Sequence, residues 1–142
     1  ESHSVIFTDK GIQFFSTRVE TSPELVSQIP IEENIRSITY AQDKVGIVTD
    51  NVEGGDPYKL RIYDREGSPV FEKTFNYQYT GFDIDGDLVL LYNDSSCKVY
   101  NMTGTEKYNG TFDFTVSKVS AGRFPGTLLV MGPQKMTEIK LQ

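Results

Sequence analysis

Short apolar runs, each ending on a turn-forming residue, recur along this chain. They occupy 5–9 (VIFTD), 46–50 (GIVTD), 89–93 (VLLYN) and 128–132 (LLVMG). Their last residues, Asp9, Asp50, Asn93 and Gly132, lie 41, 43 and 39 positions apart. An alternating element follows each run: Ile12-x-Phe14-Phe15, Leu60-x-Ile62-Tyr63, Cys97-x-Val99-Tyr100 and Ile139-x-Leu141-Gln142. Alternation with period two marks a strand with one buried face. Turns ending in Gly67 and Gly104 come after the second and third, where glycine accepts a positive φ without steric cost. Beyond them, 70–75 and 107–114 read as strands, and 79–85 and 116–122 as shorter alternating ones. Four strands in about 41 residues is the unit of a β-propeller blade.

With the strands of a blade labelled a to d from the hub outward, the repeat divides the chain into four parts. An incomplete first blade, 5–31, lacks a; blades 35–75 and 79–114 are complete; an incomplete last blade, 116–141, lacks d. The expected fold is all-β, a propeller-like array of four-stranded antiparallel blades forming one partial domain of about 3.5 blades. One segment resists. Ser22-Pro23-Glu24-Leu25 looks like a capped helix start. Pro30 would end that helix after about two turns, and the repeat, which requires a strand, takes precedence. Propellers close with ~4–8 blades. The missing blades are therefore expected from an absent N-terminal part or from a second copy. Entry in mid-blade at Glu1 reads as a cut, and the stop after strand c as a natural end.

Composition strengthens the fold reading. Val, Ile, Thr, Phe and Tyr make up 52 of 142 residues while Ala occurs twice, which favours strands over helices. A formal charge of -6 speaks against nucleic acid, which is bound through basic stripes. No apolar run exceeds the five residues of 88–92, so no segment spans a bilayer as a helix. The lone Cys97 excludes an internal disulfide framework. It aligns with inward positions of the other repeats and reads as a small core residue. His3, the only imidazole, has no nucleophile held beside it in the pattern.

Candidate chemistry is sparse. Asp83, Asp85 and Asp87 form the densest acidic cluster and are a candidate metal site. Their Gly comes fourth, and Asp94 stands where a calcium loop would place a bidentate Glu; the competing reading is an Asp-Gly turn. The b–c connection bearing Asp50, Asn51, Glu53 and Asp56 is about six residues longer than its counterparts. The d–a connection carries Asn76, Tyr77 and Tyr79, and in a propeller both connections emerge on one face. Together they are the candidate ligand site for a protein, peptide or glycan, since Tyr offers contact area at low entropy cost. Sequons stand at Asn93, Asn101 and Asn109. No cofactor is implied.

The stretches 45–51 (VGIVTDN), 58–64 (YKLRIYD), 71–75 (FEKTF), 79–85 (YTGFDID) and 91–94 (LYND) resemble an uncharacterised bacterial family of Clostridia-type, Gram-positive organisms. The similarity covers roughly 5–141, and 137–141 (TEIKL) fits a family C-terminus. The resemblance implies the C-terminal part of a membrane-anchored β-propeller, with one transmembrane helix upstream and an extracytoplasmic location. It carries no assigned activity. The leading expectation is a non-enzymatic extracytoplasmic binding or scaffold module. The alternative is a carbohydrate-active enzyme using hub-facing carboxylates.

Overall fold

Every regular element among the described residues is an antiparallel strand. The computed structural model describes residues 2–17, 22–41 and 43–141. A first sheet runs β1 (Ser2–Thr8), β2 (Gly11–Thr17) and β3 (Glu24–Pro30). The second runs β4 (Ile35–Tyr40), β5 (Lys44–Asp50), β6 (Tyr58–Asp64) and β7 (Pro69–Phe75). The third comprises β8 (Gly81–Asp85), β9 (Leu88–Tyr92), β10 (Ser96–Asn101) and β11 (Glu106–Thr111). The fourth comprises β12 (Lys118–Ala121), β13 (Thr127–Met131) and β14 (Met136–Lys140). Within each sheet, strands consecutive in the chain lie side by side. The all-β expectation holds, with four antiparallel sheets of three or four strands.

The helix-like start at residues 22–25 gives way to β3, which pairs with β2 from Gly11↔Pro30 to Ser16↔Glu24. Two turns of helix would satisfy few backbone groups, whereas this ladder satisfies a whole strand.

The chain divides into two units, the first ending at Asn76 and the second starting at Tyr77. In the first, the pleat puts Val5, Phe7, Ile12, Phe14 and Ile29 of one sheet against Val45, Ile47 and Tyr63 of the other. The Phe14 and Tyr63 rings meet at 6.1 Å. The turn after β6 is fixed from both sides. Asp64 Oδ1 accepts the N–H groups of Glu66 and Ser68, each at 2.9 Å. Gly67 sits at φ 87°, and a Cβ there would lie 1.9 Å from Ser27 Oγ. Ser27 Oγ in turn donates to Glu66 O at 2.7 Å. So the sequence-predicted Gly turn is also where β3 lies against the second sheet.

In the second unit, Leu88, Leu90, Cys97 and Val99 pack against Val116, Val119, Leu128 and Val130. The rings of Tyr108, Phe112 and Phe114 extend this core, with centroid separations of 6.3 and 5.5 Å along the series. Burial pushes the Cys97 thiol up to about 12, so the nucleophilic thiolate is scarce at neutral pH. Native protein at pH 8 is expected to resist alkylation by iodoacetamide, and to take up one equivalent after unfolding in urea, as read by mass spectrometry.

Candidate functional site

The long connection between β5 and β6, residues 51–57, is braced from inside. Asn51 Nδ2 donates to Gly54 O at 3.1 Å and to Asp56 O at 2.8 Å, and its Oδ1 accepts Glu53 N–H at 3.3 Å. The Asn51 N–H bonds Pro57 O at 2.9 Å and closes the loop's base. Gly54 and Gly55 both take positive φ, 89° and 85°, which lets the loop reverse in so few residues. Asp50 lies at the end of β5, its Oδ1 accepting from Arg36 Nε at 2.6 Å and its Oδ2 from Asn34 Nδ2 at 3.3 Å.

The loop is also pinned to its own sheet. Glu53 Oε1 meets Lys59 Nζ at 3.1 Å, and Asp56 Oδ2 accepts Thr74 Oγ1 at 3.0 Å. Lys59 is shared with Glu72 at 3.3 Å. Two positions along β6, Arg61 Nη2 pairs with Glu33 at 2.5 Å, and its Nε lies 3.9 Å from Glu72. The side chains of Lys59 and Arg61 are only 9% and 11% exposed. They share a pleat face with Thr49 and Ile47, their cross-strand partners on β5. Thr49 Oγ1 and Arg61 Nε are buried without a hydrogen-bond partner.

Of the expected ligand residues, Asp50, Asn51, Glu53 and Asp56 therefore come together, and each has at least one side-chain polar atom bonded within the chain. Asn76 is exposed at the end of the first unit. Tyr77 and Tyr79 belong to the second unit. Tyr77 Oη bonds Ser96 Oγ at 2.7 Å; burial raises its phenol pKa and that bond opposes the rise. The Tyr79 ring stands edge-on to Phe82 at 6.4 Å. Both rings are half-buried.

The acidic cluster is divided. Asp83 and Asp85 alternate along β8 and line a cleft of about 170 Å³ with Leu90, Lys118 and Ser120. Asp85 Oδ2 accepts Ala121 N–H at 2.8 Å. Asp87 lies past the Gly86 turn, where φ is 62°, in a different cleft with Asn101, Lys107 and Leu141. Among the described residues, no three His, Cys, Asp or Glu side chains converge as a cation's ligands would. The sequons differ in access. Asn93 Nδ2 donates to Gln78 O at 2.7 Å, while its Oδ1 accepts from Ser95 and Ser96. Asn101 Oδ1 accepts Thr103 and Thr105 N–H. Asn109 is exposed on β11.

Comparison with known proteins then places the fold. A family of unknown function, DUF5711, matches residues 1–141. The chain belongs to that family. No curated protein matches the sequence. Among solved structures, the DUF5711 chain is similar to BamB from Moraxella catarrhalis, at 13% identity and a TM-score of 0.56 over 96% of the chain and 45% of BamB. It is similar to HIRA(644-1017) at 10% identity and a TM-score of 0.57, over 99% and 56% of the two chains. The computationally designed Ika4 protein matches at 10% identity and a TM-score of 0.55, over 94% and 81%. BamB and HIRA are β-propellers, so the fold is propeller-like. The chain spans about half the length of each.

Sequence reasoning missed Lys59, Arg61, Glu33 and Glu72, as well as Val52, which stands 75% exposed in the loop. Two measurements check the network. A buried hydroxyl without a partner carries a desolvation cost of about 1–3 kcal/mol. Thr49→Val is therefore expected to stabilise the protein by about 1 kcal/mol in urea denaturation; a loss of stability would mean that the hydroxyl is satisfied. The second concerns acid. Burial pushes the Glu33 carboxyl up, but backbone N–H groups and Arg61 outweigh burial and hold it below its ordinary value. The Arg36 hydrogen bond likewise lowers Asp50. Groups with depressed folded-state pKa values stabilise above the unfolded pKa and lose that contribution as pH falls through the folded one. Stability should be level above about pH 5 and fall below about pH 4. Arg61→Met should flatten the Glu33 share of that fall.

Proposed function

We propose that this DUF5711 chain is a non-enzymatic binding or scaffold module that engages a protein, peptide or glycan through the 51–57 loop. The observation that supports it is the loop's construction. Each of its polar side chains makes a bond that holds its shape, and among them Val52 stands 75% exposed. A loop rigid before contact loses little entropy on binding, which is how preorganised surfaces gain affinity. An apolar residue ringed by polar ones is the pattern of an interface anchor. Acid–base chemistry calls for the opposite arrangement, carboxylates left available to a substrate.

The reading extends to context. The resemblance to Clostridia-type, membrane-anchored propellers supports an extracytoplasmic module that forms the C-terminal part of a longer protein. Among the described residues no helix is long and apolar enough to cross a membrane, so the anchor would lie upstream. The hydrolase alternative gains nothing from the Asp83–Asp85 cleft, since Asp85 is bonded to the Ala121 N–H.

A photo-crosslinking amino acid placed at Val52 of the full-length protein in its host cells tests the proposal. One discrete adduct is expected, and Asn51→Ala, which removes the internal brace, should reduce its yield several-fold. Absence of any adduct, or the same adducts from a crosslinker at exposed Pro133, would refute it.

A further inference from the structure

In the second unit, the cleft between β8 and β12 brings together main-chain groups and carboxylates that the chain does not use for itself. Bonds from Gly122 N–H to Thr127 O and from Gly132 N–H to Lys135 O set the phase of the fourth sheet. In that phase Lys118 and Ser120 bond β13, while Leu128 and Val130 of β13 bond β14. Val119 and Ala121 therefore turn their N–H and C=O groups to the other edge of β12. Asp85 on β8 shows where they point, since its Oδ2 accepts the Ala121 N–H at 2.8 Å. Val119 is the next such residue along the edge. It is 1% exposed, and among the described residues its N–H and C=O have no partner. Buried main-chain groups are rarely left so, because an unmade bond costs the full desolvation of the group.

The wall across from Val119 is acidic. Asp83 and Asp85 pair across the third sheet with Leu90 and Leu88. Those leucines pack against Val119, so both carboxylates stand on the β12 side of β8. Asp83 makes no hydrogen bond or ion pair among the described residues, and the second oxygen of Asp85 makes none either. Burial, and then the charge of Asp83, raises the Tyr92 phenol, so this carboxylate acts on its neighbours without a counter-ion. Lys118 lines the same cleft, likewise without an ion pair among the described residues and beyond ion-pair distance of Asp83. Ile84 and Leu90 add apolar surface. The cleft holds about 170 Å³, room for about five or six molecules the size of water at ~30 Å³ each.

Three acceptors, Asp83, the second oxygen of Asp85 and the Val119 carbonyl, match the three N–H donors of a primary ammonium. The Val119 N–H, with Lys118 on the same wall, calls for an anionic acceptor on the same molecule. We propose that the cleft between β8 and β12 binds a small α-amino acid, its ammonium held by Asp83, Asp85 and the Val119 carbonyl and its carboxylate by the Val119 N–H. Ile84 and Leu90 leave space for a side chain about the size of a methyl group. A sugar ring is too large for this volume. A metal ion fits poorly, because two carboxylates and one carbonyl leave it short of ligands and the Val119 N–H aims a donor at it. The 51–57 loop lies in the first unit, so either assignment can fail without the other.

The test is an NMR titration of the isotope-labelled chain with L-alanine at neutral pH. Saturable shifts are expected at the amides of Asp83, Val119 and Ser120. Propionate lacks the ammonium and ethylamine lacks the carboxylate, so each should bind at least about tenfold more weakly than alanine. Asp83→Asn, at a side chain with no bond to lose, should weaken alanine binding about tenfold and leave shifts outside the cleft in place. Asp87→Asn, in the other cleft, should bind alanine as the parent chain does. The proposal is overturned by the absence of saturable shifts at tens of millimolar alanine, by equal affinity for propionate or ethylamine, or by equal affinity in the two variants. Calcium chloride shifting the same amides at lower concentration than alanine would assign a cation site and overturn it too. The comparison of ligands needs no variant, and so decides the matter even if Asp83→Asn does not fold.

Discussion

In each described unit, one sheet must lay its apolar face on the next, and the pleat allows no exceptions along the strand. On β6 the core-facing positions are Lys59, Arg61 and Tyr63, in that order from the loop. Tyr63 belongs to the core with Phe14 and Val45. Arg61 and Lys59 sit on the same face and are nearly as sheltered, because a strand cannot turn two of its three same-side residues to water. A sheltered cation needs a partner at once. Glu33 arrives from the connection before β4, Glu72 from the adjacent strand, and Glu53 from the loop that doubles back over Lys59. The extra length of residues 51–57, which looks like idle insertion, is thus the length needed to bring Glu53 and Asp56 back onto the sheet.

This origin accounts for what the primary sequence showed and what it concealed. Most of the fourteen strands among the described residues were legible because apolar alternation and Gly-ended turns are local, and Gly67 and Gly104 lie where the hairpin logic put them. The segment 24–30 was ambiguous locally, its helix-like opening outweighed by a ladder to β2 that no nearby residue announces. Lys59 and Arg61 were hidden for a stricter reason. Alternation assigns charged positions to solvent, and on a strand with both faces sheltered that rule fails. Their partner Glu33 lies 28 residues from Arg61, so no spacing rule links them. The Asp83, Asp85 and Asp87 cluster failed in the other direction. Proximity in sequence suggested convergence, but the strand's pleat keeps only Asp83 and Asp85 together, and the Gly86 turn carries Asp87 away.

The same packing explains why the polar residues of the loop are poor candidates for chemistry and good ones for shape. The Asn51 side chain makes three bonds within the loop, and Glu53 and Asp56 each hold a partner on the strands below. Releasing Asn51 would leave loop carbonyls unpaired, releasing Asp56 would free Thr74 Oγ1, and releasing Glu53 would leave Lys59 with Glu72 alone, each a cost comparable to the gain from a single new hydrogen bond. Val52 has no polar atom in its side chain to commit, and it stands 75% exposed among residues whose side chains are bonded back to the sheet.

An array of sheets differs from a sandwich in that its stacking has no natural end. Each sheet offers its outer face to another, and a sheet with one strand fewer than its neighbour leaves part of that neighbour's face bare. Within the first unit this shows along β4: Ile35, Ile38 and Tyr40 lie on the face that β5 turns to the core, yet only Ile35 joins it, and Ile38 and Tyr40 stand 42% and 49% exposed while their partners Ile47 and Val45 are wholly buried. Burial on one face therefore follows how far the neighbouring sheet reaches across it and not how apolar the strand is. That is why alternation alone would mark Ile38 and Tyr40 as core and Lys59 as surface, and be wrong about both.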